Sequence, residues 1–168
     1  LYYLVALLII VGTMIPFFAV FERRRSQARE LVVLATLSAL AVAGRVAFFF
    51  LPQFKPVCAI VVIAGACFGG ESGFLVGAVA GFVSNFFFGQ GPYTPWQMFC
   101  FGIVGFVAGL LFHEGPLKPT RGALCVYGGI STFVLYGGVI NLGSLLIMGM
   151  PLTPAAIIAC YASALPFD

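Results

Sequence analysis

The segment from Phe21 to Leu51, FERRRSQARELVVLATLSALAVAGRVAFFFL, joins a basic cluster to a long apolar run. Within the run an alanine recurs at every fourth position, so on a helix of 3.6 residues per turn the alanines form one stripe. Helices in lipid gain little from hydrophobic exclusion and associate where small residues let their backbones approach closely. The pattern predicts a membrane helix that presents a partner interface made of Ala35, Ala39, Ala43 and Ala47.

The scarcity of charge sets the class of protein. Charged residues make up 8% of the chain and hydrophobic residues 62%, whereas soluble domains carry about 25% charged residues. We therefore predict an all-α fold, a polytopic helical bundle in a membrane. The net charge of +3 is concentrated in two short stretches, so it reports membrane orientation and gives no reason to expect nucleic acid.

The basic stretches also predict orientation, because short cytoplasmic loops carry the excess of Lys and Arg. This rule places residues 22–30 and 113–121 in the cytoplasm, and the proline-containing turns 52–56 and 89–97 outside the cell. We expect a multi-pass protein of the cell membrane. The predicted spans are 1–21, 31–51, 57–68, 74–88, 98–112 and 123–148.

Three parts are expected along the chain. They are an extra N-terminal transmembrane helix (1–21), a basic cytoplasmic linker (22–30) and a membrane domain (31–168). An inner turn at Gly69–Gly73 separates two spans of that domain. The last apolar stretch, 153–165, would be about 20 Å long as a helix, too short to cross. We expect it to be an outer interfacial or re-entrant helix, followed by a span that starts near Asp168.

Glycines supply a second small-residue seam. They recur at close helical spacing in two successive spans, where small residues again favour close helix packing. These glycines are Gly73, Gly77 and Gly81 in one span and Gly102, Gly105 and Gly109 in the next.

Arg45 lies inside an otherwise uncharged helix, where an isolated cation costs about 2.5–3.5 kcal/mol. Some group must compensate this cost. One hypothesis is a pair with Asp168, which would lie at similar depth. The alternatives are direct contact with a polar ligand group and an intramembrane ion pair with a structural role only.

Other polar residues lie toward the outer half of the membrane. Ser84, Asn85 and Asn141 can point at one outward-open cavity, or they can satisfy one another between helices. Lys55 either reaches the membrane surface or contacts the ligand. The loop 89–97 is braced by prolines, and its aromatic residues suit either a membrane-interface belt or a lid. The candidate substrate-binding residues are Arg45, Lys55, Ser84, Asn85, Gln90, Tyr93, Trp96, Gln97, Asn141 and Asp168.

The sequence contains few side chains in arrangements that are typical of catalysis. The single histidine, His113, lies beside Glu114 on the basic side, and no carboxylate pair, activated nucleophile or metal triad accompanies it. No glycine loop followed by Lys and Ser or Thr is present to bind ATP phosphates. We predict that the chain is not an enzyme and holds no metal or cofactor, so another subunit must supply the energy for any transport.

With its basic start, its AxxxAxxxA helix, its glycine seams and its proline-rich outer loop, the chain resembles the S components of energy-coupling-factor (ECF) vitamin transporters over about residues 28–168. The segment PVCAIVVIAGACFGGESGFLVGAVAGFVSNFFFGQGPYTPWQMF and the closing LPFD are similar to the cobalamin-specific branch. The resemblance implies a six-helix substrate-binding core, with its last helix cut off here, and an additional helix at 1–21. It also implies that Ala35, Ala39 and Ala43 contact a transmembrane coupling protein that carries two ATPase subunits.

The implied function is capture of a vitamin from outside, with cobalamin favoured, followed by toppling of the subunit against its partner. Riboflavin, pantothenate, folate and queuosine-like ligands remain open. A rival from another class is a membrane scaffold subunit with a permanent partner and no ligand. A self-sufficient channel or carrier would need polar groups through the full membrane thickness, and the clustering of polar residues in the outer half argues against it.

Overall fold

The computed structural model describes residues 2–23, 27–51 and 56–164, and every regular element within these ranges is helical. The all-α prediction is therefore confirmed for the described chain. Two π-helical segments, Gly109–His113 and Thr132–Gly137, extend α5 and join α6 to α7. The helices are α1 (Tyr2–Arg23), α2 (Ala28–Ala47), α3 (Val57–Phe68), α4 (Gly70–Phe88), α5 (Thr94–Ala108), α6 (Arg121–Ser131), α7 (Gly138–Ile147) and α8 (Pro154–Ala164).

Four helices among the described residues are long and apolar enough to cross a membrane, which is consistent with a multi-pass membrane protein. They are α2, α4, the continuous helix Thr94–His113 and the continuous helix Arg121–Ile147. The helices α3 and α8 are shorter, as expected. Helix α1 spans 22 residues, about 33 Å at 1.5 Å per residue, and its crossing of the membrane stays a prediction.

The helices run alternately in opposite directions, with α6 and α7 forming one continuous helix, and so define two ends. At the basic end, which holds Arg23, Arg29 and Arg121, the Ser72 hydroxyl at the start of α4 donates to Oε1 of Glu30 on α2 (3.4 Å). The far end holds the α4–α5 loop and the turn between α7 and α8.

Two predicted turns are shorter in the structure. The predicted turn Gly69–Gly73 is wrong, because Gly69 alone reverses the chain with a φ of 97° that glycine adopts without steric cost. The predicted loop 89–97 ends at Tyr93, because Pro95 fits the first turn of α5, where a backbone N–H is not needed. Trp96 and Gln97 are therefore helical residues.

The glycine seam is confirmed as a close backbone contact between α4 and α5. A Cβ added to Gly77 would lie 2.5 Å from the carbonyl carbon of Phe101, and one added to Gly105 would lie 2.6 Å from the carbonyl carbon of Gly73. Helix α3 joins the same contact, since a Cβ on Gly73 would also lie 2.6 Å from Cα of Gly65. The backbones of three helices thus pack directly on one another, which is the purpose of small residues in lipid.

Helix α1 packs on α4 and α5 through aromatic rings. Phe17 stacks on Phe74 with ring centres 4.2 Å apart and meets Phe106 edge-on at 4.8 Å. Ile10 and Met14 are also buried in this contact.

Helix α8 returns antiparallel along α7. The Tyr161 hydroxyl donates to the Gly138 carbonyl at 2.5 Å, and the Cys160 thiol donates to the Asn141 carbonyl at 3.7 Å. The position of α8 relative to the membrane, interfacial or re-entrant, stays a prediction.

Candidate functional site

Arg45 points from α2 into the bundle and contacts α4. Its Nη1 donates to the Ser84 hydroxyl at 2.5 Å and to Oδ1 of Asn85 at 3.1 Å. Its guanidinium carbon lies 4.7 Å from the ring centre of Phe88 and 5.9 Å from that of Phe101. Ser84 and Asn85 are fully buried, at 0% exposure. The structure thus brings together three residues that the sequence proposed for one site.

The observed partners of Arg45 are a hydroxyl, an amide and two aromatic rings. Hydrogen bonds to a charged group contribute about 1.5–3 kcal/mol each, and a cation over an aromatic ring contributes about 0.5–2 kcal/mol. Together these gains exceed the cost of about 2.5–3.5 kcal/mol for a cation in a membrane helix, so a carboxylate is not required. Asp168 lies outside the described residues, and its pairing with Arg45 stays a prediction. Lys55 also lies outside them.

Thr94 ties the α4–α5 loop to this cluster. Nδ2 of Asn85 donates to Oγ1 of Thr94 at 3.3 Å, and the Thr94 hydroxyl donates to Oε1 of Gln90 at 3.0 Å. The Gly91 amide also donates to Oγ1 of Thr94, at 3.2 Å. A continuous hydrogen-bond chain therefore runs from Arg45 to the loop.

The loop itself is closed by two further contacts. The Tyr93 hydroxyl donates to the Gly89 carbonyl at 2.6 Å, across a turn in which Gly89 has a φ of 97°. Nε2 of Gln90 donates to the Phe82 carbonyl at 3.1 Å. Tyr93 and Gln90 are exposed, so the loop is compact but accessible.

Trp96 and Gln97 belong to a second, buried cluster. Nε2 of Gln97 donates to the Tyr136 hydroxyl at 3.2 Å, and the Tyr136 ring stacks on Phe101 at 4.9 Å. Phe101 also faces Arg45, so the two clusters meet across this ring. Trp96 packs on α7, where a Cβ added to Gly143 would lie 2.7 Å from Cδ2 of the indole.

Asn141 is buried on α7, two residues before Gly143. It lies on the helix that Trp96 contacts at Gly143. Two residues of these clusters, Thr94 and Tyr136, were not predicted as site residues from the sequence. A tyrosine hydroxyl inside an apolar span needs a partner, and this was the available signal for Tyr136.

The alanine stripe lies on the outer side of α2. Ala35, Ala39, Ala43 and Ala47 are all exposed, while Leu34 is buried on the inner side of the helix. The alanines line a groove of about 650 Å3 whose other wall is Val79, Val83 and Phe87 of α4. Helix α2 therefore presents a polar contact to the bundle and a smooth apolar groove to its surroundings.

No group of three His, Cys, Asp or Glu residues within the described ranges is placed to hold a metal ion.

A sequence profile described as a family of unknown function, DUF6580, matches residues 25–168. No curated protein and no solved structure matches the chain. Helix α1 precedes the matched region.

Proposed function

We propose that this chain, which belongs to the DUF6580 family, is the substrate-binding subunit of an ECF-type importer, with the basic end in the cytoplasm and the far end outside the cell. The observation that carries the proposal is the double character of α2. One side of this helix holds Arg45 in a polar cluster near the far end, and another exposes the alanine groove. A ligand site and a partner surface on one helix are what such a subunit requires.

The alanine groove is the proposed contact with the transmembrane coupling protein, which carries two ATPase subunits. Its walls are alanine, valine and phenylalanine, so a partner helix can approach closely and leave again without breaking many hydrogen bonds. The exposure of all four stripe alanines supports this role, because a stripe used for internal packing would be buried.

The polar cluster near the far end is the proposed vitamin site. In the structure its groups bond to one another, and the α4–α5 loop closes over them through Thr94. A ligand must therefore open the loop and exchange these hydrogen bonds for its own. Cobalamin would require a wide opening, whereas riboflavin, pantothenate, folate or a queuosine-like ligand would require a smaller one.

The direct test is ligand retention. The full-length protein, purified in detergent, is incubated with cobalamin, separated from free ligand by gel filtration and examined by its visible spectrum. A retained corrin spectrum near equal stoichiometry supports the proposal. If the protein is colourless, the same preparation is tested for retention of the other vitamins. Arg45→Met should abolish retention, whereas Arg29→Met, which removes a charge at the basic end, should leave it unchanged.

A scaffold subunit is the second candidate, and the internally satisfied hydrogen bonds of Ser84 and Asn85 favour it. A scaffold would retain a partner through the alanine groove and bind no vitamin of the panel. Binding of any vitamin, lost in Arg45→Met, rejects the scaffold.

A further inference from the structure

Two polar atoms in the first turns of α5 are buried without a hydrogen-bond partner among the described residues. They are Nε1 of Trp96 and Oε1 of Gln97, whose residues are 4% and 6% exposed. Buried polar groups in folded proteins nearly always have partners, and each exception needs an explanation. Here the two exceptions are neighbours in the chain.

Both side chains face the long helix Arg121–Ile147. Gln97 contacts it at Tyr136, and Trp96 contacts it at Gly143. Tyr136 and Gly143 are seven residues apart, which places them near one face of that helix. The unpartnered atoms therefore belong to the seam between α5 and this helix, named here the α5–α7 seam.

The α5–α7 seam adjoins the Arg45 cluster and contains a helical irregularity. Phe101 contacts both Tyr136 and Arg45, so a ligand at the cluster lies one aromatic ring away from the seam. Tyr136 belongs to the π-helical segment Thr132–Gly137, and π-helical insertions are frequent at functional sites.

We infer that the α5–α7 seam binds a carboxamide or lactam group of the ligand, an inference that rests on the proposed function. The indole nitrogen of Trp96 can only donate, so the ligand must present an acceptor to it, and a carbonyl oxygen is one. The amide of Gln97 can be placed in two orientations, which exchange its oxygen and nitrogen. In each orientation one of the two atoms contacts the Tyr136 hydroxyl, and the other is left without a partner among the described residues. A carboxamide or lactam, which carries both C=O and N–H, satisfies Gln97 in both.

A carboxylate fits this seam less well. It would bring a negative charge into a buried site, and Arg45, which lies across the Phe101 ring from the seam, already donates to Ser84 and Asn85. It would also satisfy Gln97 in only one of the two amide orientations, the one in which Nε2 rather than Oε1 faces the seam. The seam therefore selects a neutral group.

Trp96→Phe separates this inference from a structural role. The substitution keeps an aromatic ring and removes the unpartnered donor, so the thermal midpoint of the ligand-free protein should stay unchanged or rise. Affinity for the ligand should fall about fivefold, the value of one neutral hydrogen bond. The matched control is Tyr127→Phe, which removes a hydroxyl that donates to the Val104 carbonyl at 2.7 Å. It should lower the midpoint and leave affinity unchanged.

The probes are cobalamin, which carries primary carboxamides, riboflavin, which carries a ring N–H beside C=O, and thiamine, which carries neither. Affinity of the full-length protein and its variants is measured by equilibrium dialysis. Trp96 is the only tryptophan, so its emission, corrected for absorption by the probe, reports directly on the seam. Binding should move the emission to longer wavelength.

The inference predicts that cobalamin or riboflavin binds, shifts the emission and loses affinity in Trp96→Phe. Binding of thiamine alone overturns the inference and leaves the proposed function standing. If cobalamin or riboflavin binds with unchanged affinity to both Trp96→Phe and Gln97→Leu, the inference is also overturned and the proposed function still stands. Binding of no probe, and of no other vitamin at saturating concentration, rejects the proposed function together with the inference.

Discussion

Replacing Asn85 by leucine tests whether neutral side chains compensate the intramembrane charge of Arg45. Asn85 is fully buried, accepts from Arg45 and donates to Thr94. A hydrogen bond to a charged group contributes about 1.5–3 kcal/mol and a neutral one about 0.5–1.5 kcal/mol. Asn85→Leu removes both bonds and keeps a side chain branched at Cγ, so the free energy of unfolding should fall by about 2–4.5 kcal/mol.

Asn85→Asp is the matched variant, because it preserves the size of the side chain and the acceptor for Arg45. It also adds a carboxylate, the kind of partner that the sequence predicts for Arg45 in Asp168. Its free energy of unfolding should lie within about 1 kcal/mol of that of the parent protein, because the gained charge pair with Arg45 offsets the lost donor to Thr94. Unfolding is followed by titration with a denaturing detergent in mixed micelles.

A double-mutant cycle isolates the pair. In an Arg45→Met background the acceptor of Asn85 has already lost its charged donor, so Asn85→Leu should cost less, with a coupling of about 1.5–3 kcal/mol. A coupling below about 0.5 kcal/mol, within the scatter of independent sites, would show that Arg45 is compensated elsewhere and refute the reasoning.

Three further predictions concern packing, partner binding and the loop. Gly77→Ala should lower the free energy of unfolding by about 1–3 kcal/mol, because its Cβ would lie 2.5 Å from the Phe101 carbonyl carbon. Gly129→Ala, where an added Cβ has nothing within 4 Å, should raise it by about 0.5–1 kcal/mol. Equal effects of the two variants in detergent unfolding would contradict the α4–α5 contact. Ala39→Leu should block co-purification with the coupling protein by filling the groove, without changing vitamin retention, while Leu40→Phe, on an exposed neighbouring position outside the groove, should leave both intact. Tyr93→Phe removes the hydroxyl bond that closes the loop, so amide hydrogen exchange of residues 89–93 should accelerate, and an unchanged exchange rate would show that Thr94 alone holds the loop.

Much of the framework could be predicted because it depends on local composition. Apolar runs of sufficient length, prolines between them and glycines at close helical spacing are read from neighbouring residues, and the short α3 and the α4–α5 glycine seam were found this way. The turn lengths at Gly69 and Tyr93 were overestimated. A single glycine with positive φ and a proline in a first helical turn shorten a connection without altering hydropathy.

Most residues of the candidate site could be predicted from the sequence, but the hydrogen bonds between them could not. Arg45, Ser84 and Asn85 were proposed as one site and lie within hydrogen-bond distance. Trp96 and Gln97 were placed in a loop, yet the structure buries them in α5. Thr94 and Tyr136 were missed, because a hydroxyl shows its importance only when its partner on another element is known.

The sequence by itself determined that the chain is helical, apolar enough for a membrane, and equipped with one alanine stripe and one intramembrane cation, since each follows from residue type and helical period. Only the tertiary structure decided that the stripe is exposed rather than internal, that Arg45 contacts Ser84 39 residues away, and that two buried polar atoms of α5 have no hydrogen-bond partner in the described part of the chain. These outcomes depend on which helix faces pack against one another. Helical periodicity orients residues within one helix and leaves the neighbour of each face to the packing of the whole bundle.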